Sequence, residues 1–300
     1  GNLSLIIGMA EIIDDNFFPN LYNSIALIEE GKWSVIARKN ILPNYEVFDE
    51  KRYFRSGNKV SIFKKNVNKR IWKIGITICE DLWVNQNIEG RGIHKRDPIN
   101  DFESQQLDCL INLSASPFTI GKFKDRQKIA HNASNKLKTK IIYLNQVGGN
   151  DDLIFDGSSF ILDRDGEKIK QLSSCKEDFY CWNMNKQKNI LHNERNISDL
   201  ESIFDALVLG VKDYAKKCGF KTALIGLSGG IDSALVTVIA AAALGSKNVF
   251  SIAMPSKWNS IDSKIDAEEL AKRLNINFDI ISIENLFESF KETLEDSINL

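Results

Sequence analysis

Apolar and polar positions alternate in two different rhythms, and the change falls near residue 182. Up to that point the apolar residues form short runs joined by turn residues, which predicts strands and hairpins. Ser24–Glu29 and Trp33–Lys39 flank a Glu-Gly-Lys turn, and Gly157–Leu162 and Glu167–Gln171 flank an Asp-Gly turn. Three further runs suit buried strands: Ile71–Ile78, Cys109–Leu113 and Lys140–Leu144.

After a polar stretch at 183–197, predicted to be a linker, the rhythm becomes helical. Apolar residues from Leu200 to Tyr214 follow the 3.6-residue period and predict a helix that ends at Gly219. Strand and helix patterns then alternate: Thr222–Leu227, Asp232–Leu244, Val249–Met254, Ile265–Leu274 and Phe278–Ile283. This alternation predicts parallel strands with helical crossovers, in a doubly wound sheet with helices on both faces.

Composition narrows the function classes. The chain has 300 residues and a formal net charge of −1, so no field of one sign favours nucleic acid or an anionic membrane, and we expect small-molecule substrates. The five cysteines form no Cys-x-x-Cys pair, which predicts neither a disulfide framework nor a structural zinc site. The longest apolar run, Ala234–Leu244, is too short to span a bilayer, and no secretory signal opens the chain. We therefore expect a cytoplasmic protein.

The strongest chemical signal is a strand that passes through a glycine pair into a helix. Gly229 and Gly230 let the backbone approach an anion closely, and the helix start offers unpaired amides and the positive end of its dipole. Ser228 and Ser233 add hydroxyl donors. No lysine follows the glycines, so this is not the Gly-x-x-x-x-Gly-Lys phosphate loop. The alternative is a glycine turn with polar caps.

This segment, Ser-Gly-Gly-Ile231-Asp232-Ser, resembles the pyrophosphate-binding loop of the ATP pyrophosphatases. The resemblance implies that ATP binds here by its β- and γ-phosphates. An acid in such a loop suggests Mg²⁺, although Asp232 is equally suited to cap the following helix. Met254 and Ser256, in a Met-Pro-Ser segment after the next strand, resemble the ATP site of NAD synthetases. A methionine in this place is otherwise a core residue.

A second signal is Cys79, where the buried-strand pattern ends abruptly and two acidic residues follow. A cysteine at a helix N-terminus has a lowered thiol pKa, which favours the nucleophilic thiolate. An inert core cysteine is the alternative.

The surroundings of Cys79 resemble the nitrilase superfamily in several segments of moderate specificity. The segment Ile-Cys-Glu-Asp-Leu-Trp matches its nucleophile turn. Others are Arg38–Tyr45 with Phe48–Phe54, Asn112–Phe118 with Gly121, Lys122 and Arg126, and Tyr143–Asp151 with Phe155–Gly157. Followed by the phosphate loop, this order of motifs resembles the glutamine-dependent NAD synthetases over essentially the whole chain.

The resemblance implies a glutaminase in which Cys79 attacks the side-chain amide of glutamine. Lys39 stabilises the oxyanion, and Glu50 orients the lysine or a water; a solvated lysine and a surface acid are the plain alternatives. Glutamine contacts are implied for three residues, Tyr45, Ser116 and Lys122. Glutaminases with an N-terminal nucleophile or a Cys-His-Glu triad fit poorly, because the chain opens with Gly1 and no histidine pattern suits them.

Two features depart from the family pattern. Residues 1–30 contain no Phe-Pro-Glu-type segment for the general-base glutamate, and Glu11 stands in a different context. The last residues follow closely on the third predicted parallel strand. We therefore expect both ends to be truncated and the chain alone to hydrolyse glutamine poorly.

The sequence thus predicts an α-β-β-α sandwich at 1–182 and the start of a nucleotide-binding domain at 198–300. The predicted reaction is ATP-dependent amidation of deamido-NAD by ammonia from glutamine, through an adenylated intermediate, by an enzyme that we expect to be a homo-oligomer. Two rivals stay open: an enzyme with the same modules that amidates another carboxylate, and a catalytically inactive binding or scaffolding protein.

Overall fold

The computed structural model describes residues 3–15, 17–45, 47–83, 96–185, 198–258 and 260–298. They divide into two compact units. The first unit contains residues 1–147 and 155–199, and the second contains 148–154 and 200–300. Most of the predicted linker, 186–197, lies outside the described residues.

The first unit opens with a small sheet of four strands. They are β1 (Ser4–Ile12), β2 (Leu21–Glu29), β3 (Lys32–Arg38) and, after the short helix α1 (Glu50–Tyr53), β4 (Phe54–Arg55). The first three are antiparallel neighbours, and β4 pairs in parallel with β2. Glu30 and Gly31 turn the chain between β2 and β3 with φ of 50° and 76°, which confirms the predicted hairpin.

The second sheet has six strands in the order β12-β11-β8-β7-β6-β5, numbered along the chain. The strands are β5 (Ser61–Val67), β6 (Arg70–Ile78), β7 (Cys109–Ser114), β8 (Lys140–Asn145), β11 (Phe160–Leu162) and β12 (Lys168–Gln171). The central β6, β7 and β8 are parallel, and the outer pairings are antiparallel. Helix α2 (Lys122–Leu137) connects β7 to β8. Between β8 and β11 the chain forms a separate hairpin of β9 (Val147–Asn150) and β10 (Leu153–Asp156), of which residues 148–154 belong to the second unit.

The two sheets pack face to face through apolar side chains. Ile25 and Ala37 of the small sheet form one buried cluster with Ile76 and Ile78 of the large sheet. The opposite face of the large sheet packs on α2, since Leu110, Ile141, Ile129 and Ala130 share a second buried cluster. Burial of each such large apolar side chain contributes about 1.5–3 kcal/mol. The strand ends that carry the polar residues described below are therefore fixed from both sides.

The second unit alternates helices and parallel strands. Its elements are α3 (Asp199–Cys218), β13 (Ala223–Gly226), α4 (Ile231–Leu244), β14 (Val249–Ala253), α5 (Ile261–Leu274), β15 (Asn277–Ile280) and α6 (Glu284–Ile298). The strands lie in chain order with parallel pairings, which confirms the predicted α/β class and parallel sheet. No helix among the described residues is long and apolar enough to cross a membrane.

Helix boundaries in the second unit follow local capping chemistry. Gly219, with φ of 76°, ends α3 as predicted, and the Phe220 amide donates to the Ala215 carbonyl. Helix α5 begins four residues before the predicted start, because the Ser260 hydroxyl accepts a hydrogen bond from the Ser263 amide at 3.1 Å and caps it. Helix α6 was not predicted.

Candidate functional site

The end of β6 holds Cys79 in an unusual backbone conformation. Its φ is +42°, a left-handed value that costs a non-glycine residue about 1–2 kcal/mol, and a 3₁₀ turn (Cys79–Leu82) begins there. The side-chain amide of Asn112, on the neighbouring β7, donates to the Cys79 carbonyl at 3.4 Å and to Thr77 Oγ1 at 3.0 Å. A strained residue held by buried polar partners is typical of a functional site.

Lys39 and Glu50 form a close ion pair in the same unit. Lys39 Nζ lies 2.6 Å from Glu50 Oε1, and the side-chain nitrogen Nδ2 of Asn23 lies 3.5 Å from the other carboxylate oxygen, Glu50 Oε2. Lys39 is only 2% exposed, so the alternative of an ordinary solvated lysine is excluded. Glu50, partly buried and paired, is equally unlike a free surface acid.

Charge interactions connect this pair to Cys79. Burial opposes protonation of Lys39, but its interactions with the titratable groups of Cys79, Glu50 and Asp81 outweigh it and raise the lysine pKa. Burial raises the pKa of the Cys79 thiol, and Lys39 opposes that effect. The expectation of a lowered thiol pKa at a helix N-terminus is therefore wrong. The residues after Cys79 form a short 3₁₀ turn, and desolvation of the thiolate outweighs the stabilisation by the lysine.

The two acids that follow Cys79 are buried, at 4% exposure for Glu80 and 1% for Asp81. The Tyr45 hydroxyl lies 3.0 Å and 2.9 Å from the two carboxylate oxygens of Glu80. Tyr45, predicted to contact glutamine, is thereby placed beside the residue that follows Cys79, the candidate nucleophile.

Ser116, the second predicted glutamine contact, is held by polar groups on several sides. Asn145 accepts from the Ser116 amide at 2.8 Å and donates to its carbonyl at 3.2 Å. The fully buried Arg126 donates to Ser116 Oγ at 3.1 Å and to its carbonyl at 2.8 Å. Arg126 also contacts both oxygens of Asp156, at 2.8 Å and 3.0 Å. The third predicted contact, Lys122, places Nζ 4.8 Å from the Trp83 ring centroid, next to the nucleophile turn.

No role was predicted for Arg126 and Asp156. The signal lies in the spacing of α2, whose buried residues Arg126, Ile129, Ala130 and Ala133 follow the helical period. A charged residue on the buried face of a helix needs a buried partner of opposite charge. The sequence alone therefore indicated that an acidic partner exists, but not which residue it is.

In the second unit the predicted phosphate loop joins β13 to α4. The Ser228 amide donates to Ser233 Oγ at 3.2 Å, and the Gly230 amide donates to Ser228 Oγ at 3.2 Å. The two hydroxyl oxygens are 3.0 Å apart, and Ser233 Oγ also donates to the Gly230 carbonyl. Two amides of this exposed loop thus donate to hydroxyls of the same loop. A phosphate oxygen can replace each of these hydroxyls as the acceptor.

Gly229 is required by both conformation and space. Its φ is +85°, and a Cβ at this position would lie 2.1 Å from the Ser263 carbonyl oxygen. The loop therefore packs directly on the first turn of α5, and a side chain there would displace it.

Met254 lies at the C-terminal end of β14, with its terminal methyl 3.3 Å from where a Gly226 Cβ would be. It helps to line a cavity of about 140 Å³ together with Ser228 and Lys264. Because Met254 is 51% exposed, it is not the core methionine that was the alternative. Ser256 follows two residues later and is partly buried.

Asp232 and Ile231 lie in the first turn of α4, and both are exposed. The N-cap of this helix is Gly230, so the alternative role of Asp232 as the helix cap is wrong. Among the described residues no group of three or more His, Cys, Asp or Glu side chains forms a metal cluster. One carboxylate next to a phosphate loop still fits Mg²⁺, which is commonly held by one or two carboxylates plus substrate phosphates.

The chain is similar in sequence to known proteins over almost all of its length. Residues 203–300 match the NAD synthase family model. A glutamine-dependent NAD(+) synthetase from Synechocystis sp. is 42% identical over 91% of this chain and 49% of its own length. The corresponding enzyme from Acinetobacter baylyi is 37% identical over 91% of this chain and 48% of its own.

A solved structure is similar over nearly the whole chain. The glutamine-dependent NAD+ synthetase from Acinetobacter baumannii, in complex with ADP, has a TM-score of 0.85 and 34% identity, covering 98% of this chain and 53% of that one. The chain spans about half the length of the curated relatives it matches. Over almost all of its own length, it is similar in sequence to the glutamine-dependent NAD(+) synthetases.

Proposed function

We propose that this chain carries the glutamine-hydrolysing site and the ATP-binding loop of an enzyme that amidates deamido-NAD to NAD. The observation that carries the proposal is the buried Lys39–Glu50 pair interacting with Cys79, in a homologue of glutamine-dependent NAD(+) synthetases. The strand-to-helix glycine loop of the second unit supports the ATP-dependent part.

In the glutaminase reaction, Cys79 Sγ attacks the side-chain amide carbon of glutamine. The ammonium group of Lys39 stabilises the negative charge that develops on the amide oxygen. Collapse of this intermediate breaks the C–N bond, releases ammonia and leaves a thioester, which water hydrolyses to glutamate. Glu50 holds Lys39 at 2.6 Å and so orients the charge before substrate arrives.

Glutamine recognition is assigned to Tyr45, Ser116 and Lys122. Ser116 Oγ accepts a hydrogen bond from Arg126, so the hydroxyl proton is directed elsewhere and suits a substrate oxygen. Lys122 supplies a positive charge for a carboxylate, and Tyr45 beside Glu80 supplies an environment for an ammonium group. This combination favours a zwitterionic amino acid over a simple amide.

In the synthetase reaction, the nicotinate carboxylate of deamido-NAD attacks the α-phosphate of ATP and pyrophosphate leaves. Ammonia then displaces AMP from the adenylate and forms the amide. Ser228, Gly229, Gly230 and Ser233 bind the departing phosphates, while Met254 and Ser256 line the nucleotide site. Asp232 is the residue that would hold Mg²⁺, which neutralises phosphate charge when bound.

The enzyme is assigned to the cytoplasm. All five cysteines are free thiols, which suits the reducing cytoplasm. A homo-oligomeric assembly stays a prediction from the resemblance.

The test uses the protein expressed from its complete gene, supplied with glutamine, ATP, Mg²⁺ and deamido-NAD. NAD, AMP, pyrophosphate and glutamate are expected as products. Cys79→Ala should reduce glutamine-driven synthesis by at least about a thousandfold, since loss of a nucleophile removes the covalent route. Synthesis from added ammonia should persist in this variant.

Cys109→Ala is the matched control, because Cys109 is a buried cysteine whose pKa is raised to about 12 by desolvation and which therefore forms no thiolate. It should leave glutamine-driven synthesis intact. Amidation of a different carboxylate would overturn the substrate assignment, and ATP binding without adenylation or ammonia release would indicate a binding protein. Unchanged glutamine-driven synthesis in Cys79→Ala would overturn the site.

A further inference from the structure

A buried carboxylate two residues after the candidate nucleophile joins two segments of the first unit. Asp81 is 1% exposed. Its Oδ1 accepts hydrogen bonds from the amides of Asn40 at 2.9 Å and Ile41 at 2.8 Å. Its Oδ2 accepts from the amide of Ile78 at 3.2 Å. One side chain thus holds three main-chain donors.

These donors lie next to the reactive residues. Asn40 follows Lys39, and Ile78 precedes Cys79. Lys39 comes directly after β3 and Cys79 directly after β6, strands that belong to different sheets. No ladder of backbone hydrogen bonds therefore sets the distance between them, and the apolar packing of the two sheets is non-directional. Asp81 provides directed bonds across this interface.

The plain alternative is that Asp81 only closes its own turn. That role explains the bond to Ile78, which stabilises the turn containing Cys79 at φ of +42°. It does not explain the two bonds to residues some forty positions earlier, and one turn-closing bond does not require a fully buried carboxylate. The charge of Asp81 also acts on Lys39 and helps to keep it protonated.

We propose that Asp81 is the positioning residue that fixes Lys39 relative to Cys79 in the glutaminase reaction. The proposal rests on the proposed function and adds a residue to which no role has been assigned above. The hydrogen bonds of Asp81 go to main-chain amides, and the proposal gives it no contact with substrate or with the reacting atoms. It acts by holding the chain on either side of the oxyanion-stabilising charge and the nucleophile at a set separation.

Asp81→Asn is the test, since it keeps the size of the side chain but cannot offer acceptors to all three amides. A displacement of about 1 Å is worth on the order of a hundredfold in rate, so kcat for glutamine hydrolysis should fall about 100-fold. KM for glutamine should change far less, because the groups assigned to binding are untouched. Ammonia-driven NAD synthesis should be unchanged.

Asp108→Asn is the matched control. Asp108 also accepts a hydrogen bond from a backbone amide of β6, that of Lys73 at 2.8 Å, but it lies at the opposite end of the strand from Cys79.

Asp81→Glu separates charge from position, because it keeps the carboxylate and moves it by one methylene. If position matters, this variant is impaired as well, whereas a purely electrostatic role predicts near-normal kcat.

A second measurement does not depend on glutamine. The rate of Cys79 alkylation by iodoacetamide is measured against pH, and misplacement of Lys39 should move this profile to higher pH in Asp81→Asn but not in Asp108→Asn. If both variants match the unmodified protein in kcat and in this profile, the positioning role is overturned. If the unmodified protein hydrolyses no glutamine, the proposed function fails and the alkylation profiles still decide the role of Asp81. If Asp81→Asn does not fold, as judged by its thermal melt, Asp81→Glu carries both comparisons.

Discussion

The two candidate sites differ in how their polar groups are satisfied. In the first unit, charged groups are almost completely removed from water: Lys39 is 2% exposed, Asp81 1% and Arg126 0%. In the second unit, Ser228 and Asp232 of the phosphate loop are exposed, and the loop amides are partnered by neighbouring hydroxyls.

This contrast shows which interactions hold each site in its conformation. Buried charges must be paired within the protein, so the polar groups around Cys79 are arranged before any ligand binds, as the proposed stabilisation of an oxyanion requires. An exposed loop with exchangeable hydroxyl partners gains its strongest interactions from the ligand itself. The first site should therefore be sensitive to loss of any buried charge, and the second to changes in backbone conformation.

The largest expected effect tests buried against exposed charge. Arg126→Met leaves Asp156 buried without its cation, which should lower the free energy of unfolding by about 3–5 kcal/mol. Arg273→Met removes an exposed partner of Glu269 on a helix and should cost about 0.5 kcal/mol or less. Urea denaturation of both variants measures the difference. Equal losses would mean that burial does not distinguish the two regions.

The next effect concerns backbone conformation in the phosphate loop. Gly229→Ala combines a left-handed φ with a contact of 2.1 Å to a backbone oxygen, so a loss of about 2–5 kcal/mol is expected. Calorimetric titration with ATP should show binding largely abolished.

Gly219→Ala is the control for conformation alone, since its φ is +76° but nothing lies within 4 Å of the added Cβ. It should cost about 1–2 kcal/mol and leave ATP binding unchanged. If the two alanine variants bind ATP equally well, the loop is not the phosphate site.

Some structural features of these two units were predicted from the sequence, and others were not. The hairpin at Glu30-Gly31, the strand ending at Cys79 and the loop at Gly229 were predicted, because turn chemistry and apolar period are local properties. Helix α6 was missed although Leu286, Phe287 and Phe290 have helical spacing, so that signal was present.

The partners of Arg126 and the raised pKa of Cys79 could not be predicted in the same way. Both depend on groups brought together from distant parts of the chain: Asp156 for the arginine, and burial opposed by Lys39 for the thiol. A local pattern shows that a charge or a thiol is unusual. Only the fold shows which group interacts with that charge or thiol.

A third effect concerns the pH dependence of the buried site. Burial raises the pKa of Asp81 from 3.8 to about 6. In this pH range the folded state binds more protons than the unfolded state, so the contribution of Asp81 to stability is greatest below pH 3.8 and is lost as pH rises through 6. This rise in pKa corresponds to about 3 kcal/mol.

Asp81→Asn removes this titration, so the stability difference between the unmodified protein and the variant should change by up to about 3 kcal/mol between pH 4 and 6.5. Urea denaturation across this range measures it. Glutaminase activity of the unmodified protein should move in the opposite direction, since protonation of Asp81 removes an acceptor for the amides of Asn40, Ile41 or Ile78. A stability difference that is independent of pH would contradict the raised pKa.

The smallest effect on stability belongs to the exposed site. Asp232→Asn should change the free energy of unfolding by about 0.5 kcal/mol, because Asp232 lies exposed in the first turn of α4, where it interacts with the helix dipole. If its carboxylate holds Mg²⁺ with the nucleotide, the variant needs a higher Mg²⁺ concentration for ATP binding, as ATP titrations at several Mg²⁺ concentrations would show. Asp262→Asn provides the same substitution in the first turn of α5 and should leave that requirement unchanged. An equal shift in both variants would reduce the role of Asp232 to its general charge, whereas a shift confined to Asp232→Asn would make the exposed loop a site that is completed by its ligand.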